Sequence, residues 1–145
     1  MNDGRVGIDR CNCSVLRRAS RRITQFYDTK LAAAGLRITQ FAILALLAGR
    51  GELAVNELAA NLELDRTTSG KNLRPLARSG LVKIAPSATD RRSRKVRLTA
   101  KGRSAYDAAL PRWREAQREF EAANGRDTAE AMRVMLGRMN VGSPA

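Results

Sequence analysis

Between Leu81 and Leu98 the spacing of apolar residues stops being helical. Leu81–Val82–Lys83–Ile84 alternates and Lys95–Val96–Arg97–Leu98 alternates again, the pattern of half-buried strands. Between them PSATDRRSR (residues 86–94) holds turn residues, four charges and no apolar side chain larger than Ala. Two short strands joined this way predict a hairpin with a basic tip. Everything on either side follows the helical period. Aromatics make up only 4% of the 145 residues, so the core is expected to be mostly Leu, Ala, Val and Ile, which leans helical. The expected fold is mostly α with a small β-hairpin, in a single domain.

Leu16, Ala19, Ile23, Phe26/Tyr27 and Leu31 recur at helical spacing from Ser14 to about Ala34, with Arg17, Arg18, Arg21 and Arg22 on the other face and Gly35 as a stop. Thr39 is the expected cap of a second helix. Its FAILALLA run (residues 41–48) is apolar nearly all round and predicts burial in the middle of the domain. A short helix over about Val55–Leu62, the turn Glu63–Leu64–Asp65 and a helix over about Arg66–Ser79 follow, closed by Gly80. Thr99 can cap a long helix to about Ala123, Asn124–Gly125 breaks it, and a last helix covers about Asp127–Met139. Residues 1–10 are polar and are expected to be a disordered tail.

The formal net charge is +13, from 27 Lys+Arg and 14 Asp+Glu. That excess calls for a polyanionic partner, nucleic acid or an anionic membrane surface. Its location favours nucleic acid: residues 61–103 carry twelve Lys+Arg against three acids. No apolar run is long enough to span a bilayer, and MNDGRVGIDRCNC lacks the apolar centre of a signal peptide. We therefore expect no membrane partner and a cytoplasmic location. The chain has no histidine and two cysteines, Cys11 and Cys13. Histidine acid–base catalysis is excluded, and a one-chain zinc site is close to excluded. With no clustered carboxylates and no Gly-rich phosphate loop, we expect no enzyme, metal site or cofactor.

A short helix, a three-residue turn and a second helix make a helix-turn-helix. The second helix opens DRTTSGKN, with Asp65 placed to accept from the amides of Thr67 or Thr68. Small hydroxyl residues in the first turn, Thr67, Thr68 and Ser69, let a helix end approach base edges and phosphates, and Gly70 leaves room. Arg66, Lys71, Asn72 and Arg74 can reach guanine or adenine edges or phosphates. Pro75 removes one helical hydrogen bond and bends the axis. In the hairpin tip, Arg91, Arg92 or Arg94 can enter a minor groove. Asp90 is expected either to orient an arginine, Arg92 first, or to serve as a turn residue.

The run LAVNELAANLELDRTTSGKNLRPLARSGLVKIAPSATDRRSRKVRLTAKG (residues 53–102) resembles the MarR family of bacterial transcription regulators. The family's wing "D-x-R" is Asp90-Arg91-Arg92, and its "L-T-x-x-G" is Leu98-Thr99-Ala100-Lys101-Gly102. GLRITQFAILALL (residues 35–47) is similar to the family's second helix, whereas Gly70 and Pro75 depart from the commonest recognition helix. The resemblance implies a winged helix-turn-helix over about 36–99 and dimerisation helices over about 11–34 and 100–140. Its partners would then be a palindromic duplex operator and a second copy of the chain, and its function that of a repressor released by a small, often aromatic, molecule. Tyr106, Leu110, Trp113, Gln117 and Phe120 form a stripe suited to pairing with another helix, and Met132, Met135, Leu136 and Met139 line the last helix. Candidate effector-pocket residues are Leu16, Phe26, Phe41, Leu44, Tyr106 and Trp113, each of which also suits an ordinary core. Oxidant sensing through Cys11 and Cys13, near Arg10, Arg17 and Arg18, is one alternative; a basic RNA-binding module is another, disfavoured by the lack of an RNP-type aromatic motif.

Overall fold

In the computed structural model, which describes residues 4–142, helices α1 (Asn12–Leu31) and α2 (Ile38–Arg50) precede a two-residue strand, β1 (Leu53–Ala54). Helices α3 (Val55–Asn61) and α4 (Arg66–Arg78), strands β2 (Val82–Pro86) and β3 (Arg94–Leu98), and helices α5 (Ala100–Asn124) and α6 (Arg126–Gly137) complete the order. The expected disordered tail begins in residues 1–3, which lie outside the described residues. Further along it, Ile8–Arg10 form a 3-10 turn, and Asp9 pairs with Arg18 at 2.7 Å.

A 3-10 turn at Ala32–Ala34 and Gly35 at φ 72° end α1, and the chain turns through 70° into α2. The start of α2 differs from the expected Thr39 cap. Gln40 Oε1 accepts the Arg37 N–H at 3.0 Å, and Asp28 Oδ1, reaching over from α1, accepts the Ile38 N–H at 2.7 Å. Two side chains satisfy two of the open amides, and the helix begins two residues earlier than local sequence suggests. As expected, α2 sits in the middle: Phe41, Ile43, Leu44 and Leu47 are buried.

The α3–α4 turn places Glu63 at φ 52°, so that the Leu64 N–H reaches the Ala59 carbonyl at 2.8 Å. Helix α4 continues through Pro75 and ends on Gly80 at φ 75°, with Leu81 N–H on the Leu76 carbonyl and Gly80 N–H on that of Ala77. This paired closure needs a left-handed residue, which glycine adopts at no steric cost.

The sheet is antiparallel with order β1-β3-β2; Leu53 and Ile84 both lie opposite Val96, which is fully buried. Two residues are too few to show alternation, so β1 had no signature of its own. Thr99 joins the sheet to α5: its hydroxyl accepts the Gly102 N–H at 3.0 Å and lies 2.5 Å from the Gly80 carbonyl, to which it donates. Helix α5 then crosses Leu81 so closely that a Cβ on Gly102 would lie 1.9 Å from the Leu81 carbonyl oxygen. These contacts are the physical content of the L-T-x-x-G pattern.

The aromatic stripe of α5 packs within its own chain. Phe41 stacks on Tyr106 and Trp113 at centroid distances of 5.6 and 5.9 Å, and Leu110 packs on the same core. The Tyr27 hydroxyl donates to Gln117 Oε1, tying α1 to α5, and burial holds the Tyr27 hydroxyl above the usual phenol range. Lys30 adds a second tie, 2.6 Å from Glu119 and 3.5 Å from Glu115. Four- and three-residue spacing identifies a buried face but not the partner that buries it, and here the partner is α1 and α2.

Candidate nucleic-acid interface

At 100° per residue, α4 divides into an inward and an outward face. Ser69, Leu73 and Leu76 are buried, whereas Arg66, Thr67, Lys71, Arg74 and Arg78 are exposed. Ser69 was expected to approach DNA. It is instead 1% exposed, and its hydroxyl has no partner among the described residues, because it shares the inward face with Leu73 and Leu76 at spacings of four and seven. That spacing was visible in the sequence. Arg78 was not singled out there, yet it continues the outward stripe of Thr67, Lys71 and Arg74. Asn72 and Thr68 are half-buried on one flank.

Asp65 caps α4 through the Thr68 N–H at 2.7 Å and also accepts the Thr68 hydroxyl at 3.0 Å. The Thr68 amide first, and its hydroxyl second, hold the Asp65 carboxyl below the usual carboxylate range. The Thr68 proton is thereby committed to the cap, which leaves Thr67 as the hydroxyl of the first turn that is free to face a ligand.

The hairpin tip is a closed turn. The Ser87 N–H meets the Ser93 carbonyl at 2.8 Å and the Ser93 N–H meets the Asp90 carbonyl at 3.1 Å. Asp90 Oδ1 accepts the backbone N–H of Arg92 at 3.0 Å. Asp90 therefore shapes the backbone that carries Arg92 and does not pair with its guanidinium, the turn role weighed above. Arg91, Arg92 and Arg94 are exposed. Among the described residues, no acid pairs with them or with Arg66, Lys71 or Arg74. Lys101 is different: its Nζ meets the Ser79 carbonyl at 2.8 Å and caps the end of α4. The result is one helix face and one loop with unneutralised cations, the electrostatic footprint of a phosphate backbone.

A model described as the MarR family matches residues 34–93. Among solved structures, the chain is 38% identical to the Mycobacterium tuberculosis transcriptional regulator MosR in complex with DNA, over 89% of this chain and 99% of that one, with a TM-score of 0.74. The chain belongs to the MarR family. A probable transcriptional regulator from Pseudomonas aeruginosa is 27% identical with a TM-score of 0.81, over 91% of this chain and 98% of that one. The transcriptional repressor CouR, bound to a 23-mer duplex, is also 27% identical with a TM-score of 0.80, over 90% and 92%. No curated protein sequence matches closely enough to add to these. Among the described residues, no single helix of this MarR-family chain is long and apolar enough to cross a membrane.

The structure does not bring the six expected effector-pocket residues of this MarR-family protein together. Phe41 and Leu44 are buried in the core, and Tyr106 is stacked on Phe41. Leu16 is exposed in a groove beside Met139 and Val141, and Phe26 lines a cavity with Ala19, Arg22 and Asn124 that shares the walls Ile23, Phe120 and Met132 with the cavity of Trp113. Trp113 alone of the six lines a cavity of about 280 Å³, whose other walls are Ile23, Tyr27, Ile38, Gln117, Phe120, Met132 and Arg133. Its polar groups are the Tyr27–Gln117 pair and Arg133, which lies 3.5 Å from Glu121. The signal available beforehand was polar Gln117 inside an apolar stripe.

Cys11 and Cys13 are free thiols at the start of α1. Cys11 Sγ accepts the Ser14 N–H at 3.4 Å and caps the helix; Cys13 is exposed.

Proposed function

We propose that this MarR-family chain is a homodimeric, sequence-specific duplex-DNA-binding regulator, a repressor released by a small molecule, with no catalytic activity and a cytoplasmic location. The observation that carries this reading is the outward face of α4 beside the hairpin tip, with seven exposed cations, none of them ion-paired to an acid among the described residues. Arg66, Thr67, Lys71, Asn72 and Arg74 on the helix and Arg91, Arg92 and Arg94 on the tip are the proposed contacts, with Asp90 shaping the tip. DNA binding by MosR and CouR supports the assignment. Support for a dimer comes from Val15 and Leu16 on α1 and Val134, Met135, Leu136 and Met139 near the chain end, all large apolar residues 39–60% exposed. Val15, Leu16 and Met139 line one groove; exposed apolar surface of this kind suits a symmetric partner, and a dimer reads two half-sites. Selection of bound sites from random duplexes tests the reading. Recovery of an inverted repeat is expected; equal or better competition by RNA would overturn it.

The effector reading rests on the cavity beside Trp113. Its apolar walls suit a planar ring, and Arg133 suits an acidic substituent. Ile38 forms part of its wall and sits between Arg37 and Thr39 at the start of α2, so a bound ring presses on the chain that leads into the DNA-binding unit. Trp113 is the sole tryptophan. We expect small aromatic acids that release DNA to change its fluorescence saturably, and Arg133→Ala to weaken that response about tenfold, the loss of one charge-assisted contact. Release with no change at Trp113 would place the effector elsewhere.

The capping role of Cys11 favours a second reading, regulation by oxidation. Peroxide converting two thiols to a disulfide, with water as the product, would remove the acceptor that starts α1 beside the exposed apolar groove. Joining Cys11, the cap, to Cys13, in the first turn of α1, strains the backbone, so a bond between subunits suits the geometry better. We expect peroxide to lower operator binding of the wild type and not of Cys11→Ser or Cys13→Ser. Equal peroxide sensitivity in all three proteins would remove the reading.

A further inference from the structure

A polar cleft of about 240 Å³ lies between the start of α2 and the flank of α4, lined by Arg37, Thr39, Gln40, Lys71, Asn72 and Pro75. It shares only Lys71 with the outward face of α4 and nothing with the hairpin tip. It holds two cations, a hydroxyl and two amides, and no carboxylate lines it. Neither Arg37 nor Lys71 has an ion-pair partner among the described residues. Two cations converging with neutral donors match an anion that has several acceptor oxygens. Two of the nearby backbone amides are already used, Arg37 N–H by Gln40 and Ile38 N–H by Asp28. Recognition therefore rests on the side chains of Arg37, Thr39 and Asn72, with the Lys71 charge at the rim shared with the outward face.

The position of the cleft says which anion. Lys71 is both a wall of the cleft and a member of the outward stripe with Thr67 and Arg74, while Asn72 and Pro75 stand on the adjoining flank. The cleft thus opens beside the face that meets the duplex. We propose that it seats one backbone phosphate of the bound duplex, so that Arg37 and Thr39 form a third contact of each subunit beyond the recognition helix and the hairpin tip. The inference rests on the reading of α4 as the DNA-facing helix. Such a contact positions the protein without reading sequence.

The test uses the full chain and a random-sequence duplex, titrated by fluorescence anisotropy over a range of salt. Arg37→Ala is expected to weaken binding about tenfold and to make the slope of log affinity against log salt shallower by about one per subunit. Thr39→Val should weaken binding less, and Arg112→Ala, which removes the same charge from α5, should leave the slope unchanged. Alanine at position 37 keeps the backbone N–H that Gln40 accepts, so the cap survives. As a readout that leaves the protein intact, single methylphosphonates along the selected operator should weaken the wild type at one phosphate per half-site and have no effect there on Arg37→Ala. Arg37→Ala with wild-type affinity and slope overturns the seat. If Arg74→Ala still weakens binding, only the seat falls; if it does not, the DNA-facing reading of α4 falls as well. Inorganic phosphate is the other source of this chemistry: if it raises the thermal midpoint through Arg37 while Arg37→Ala binds duplex normally, the cleft belongs to a free anion and the proposal is overturned.

Discussion

Gly102→Ala is expected to destabilise the fold by about 3 kcal/mol, the upper end of what overpacking a tight contact costs, and to lower the thermal midpoint by about 10 °C for a chain of this size. The added methyl would stand 1.9 Å from the Leu81 carbonyl oxygen, 2.9 Å from its carbon and 3.1 Å from Leu98 Cδ2. Two of these atoms are backbone and cannot rotate away. The same stretch of chain carries the Leu81 N–H bond that closes α4 and the Thr99 N–H bond to the Leu81 carbonyl at 3.1 Å. Relief of the clash therefore moves α5 away from the joint where the recognition helix meets the sheet. Gly70→Ala supplies the contrast. Gly70 lies inside α4, and the nearest atom to an added Cβ is a flexible Arg74 nitrogen at 3.7 Å. There alanine should stabilise by about 0.5–1 kcal/mol, the ordinary difference in helix propensity. Thermal melts of both variants at one protein concentration check the pair, since dimerisation makes the midpoint concentration-dependent. A Gly102→Ala midpoint within about 2 °C of the wild type, less than 1 kcal/mol, would show that α5 is held less tightly than the geometry states.

The same residues show which parts of this fold can be read from sequence. Leu98, Thr99 and Gly102 encode a local event, a strand ending in a capped helix, and both the cap and its partner amide lie within four residues. Asp65 and Thr68 are equally local, as is Gly80. What escaped depends on distant chain. Thr39 looks like a cap until Asp28, ten residues earlier, supplies the acceptor to Ile38. Leu53 and Ala54 become a strand only because β3 lies beside them. The α5 stripe has the right period for a partner helix, but period cannot say whether that partner is in the same chain. The cavity beside Trp113 draws its walls from α1, α2, α5 and α6, so no window of sequence contains it. Ser69 is the exception: its spacing to Leu73 and Leu76 implies an inward position, although it also belongs to a hydroxyl run at a helix start.

Lys71→Ala and Arg92→Ala should each weaken operator binding strongly, and in ways that separate their roles. Lys71 stands on the outward face of α4, where a base-edge contact is worth about 1–3 kcal/mol. A dimer loses it twice, so the drop is about 30-fold to 10⁴-fold on the selected operator. Because base contacts specify, the variant should also bind a relaxed set of sequences. Arg92 rides on a turn shaped by the Asp90 carboxylate; losing one charge-assisted contact of about 1.5–3 kcal/mol from each wing weakens binding at least about 100-fold. Minor-groove and phosphate contacts depend on charge more than on base identity, so this drop should be nearly the same on operator and random duplex and shrink as salt rises. Asp90 gives a sharper discrimination. An asparagine keeps an oxygen that can accept the Arg92 N–H, so Asp90→Asn should bind within a few-fold of the wild type, and loss of the acidic charge adds to attraction for phosphate. Asp90→Ala removes the acceptor, loosens the turn and should approach the Arg92→Ala value. Anisotropy titrations with operator and random duplex at two salt concentrations measure all four variants. A collapse of Asp90→Asn to the alanine level would mean that the charge itself orients the arginine, contrary to the turn seen here, and unchanged binding by both Lys71→Ala and Arg92→Ala would remove α4 and the hairpin tip from the DNA interface.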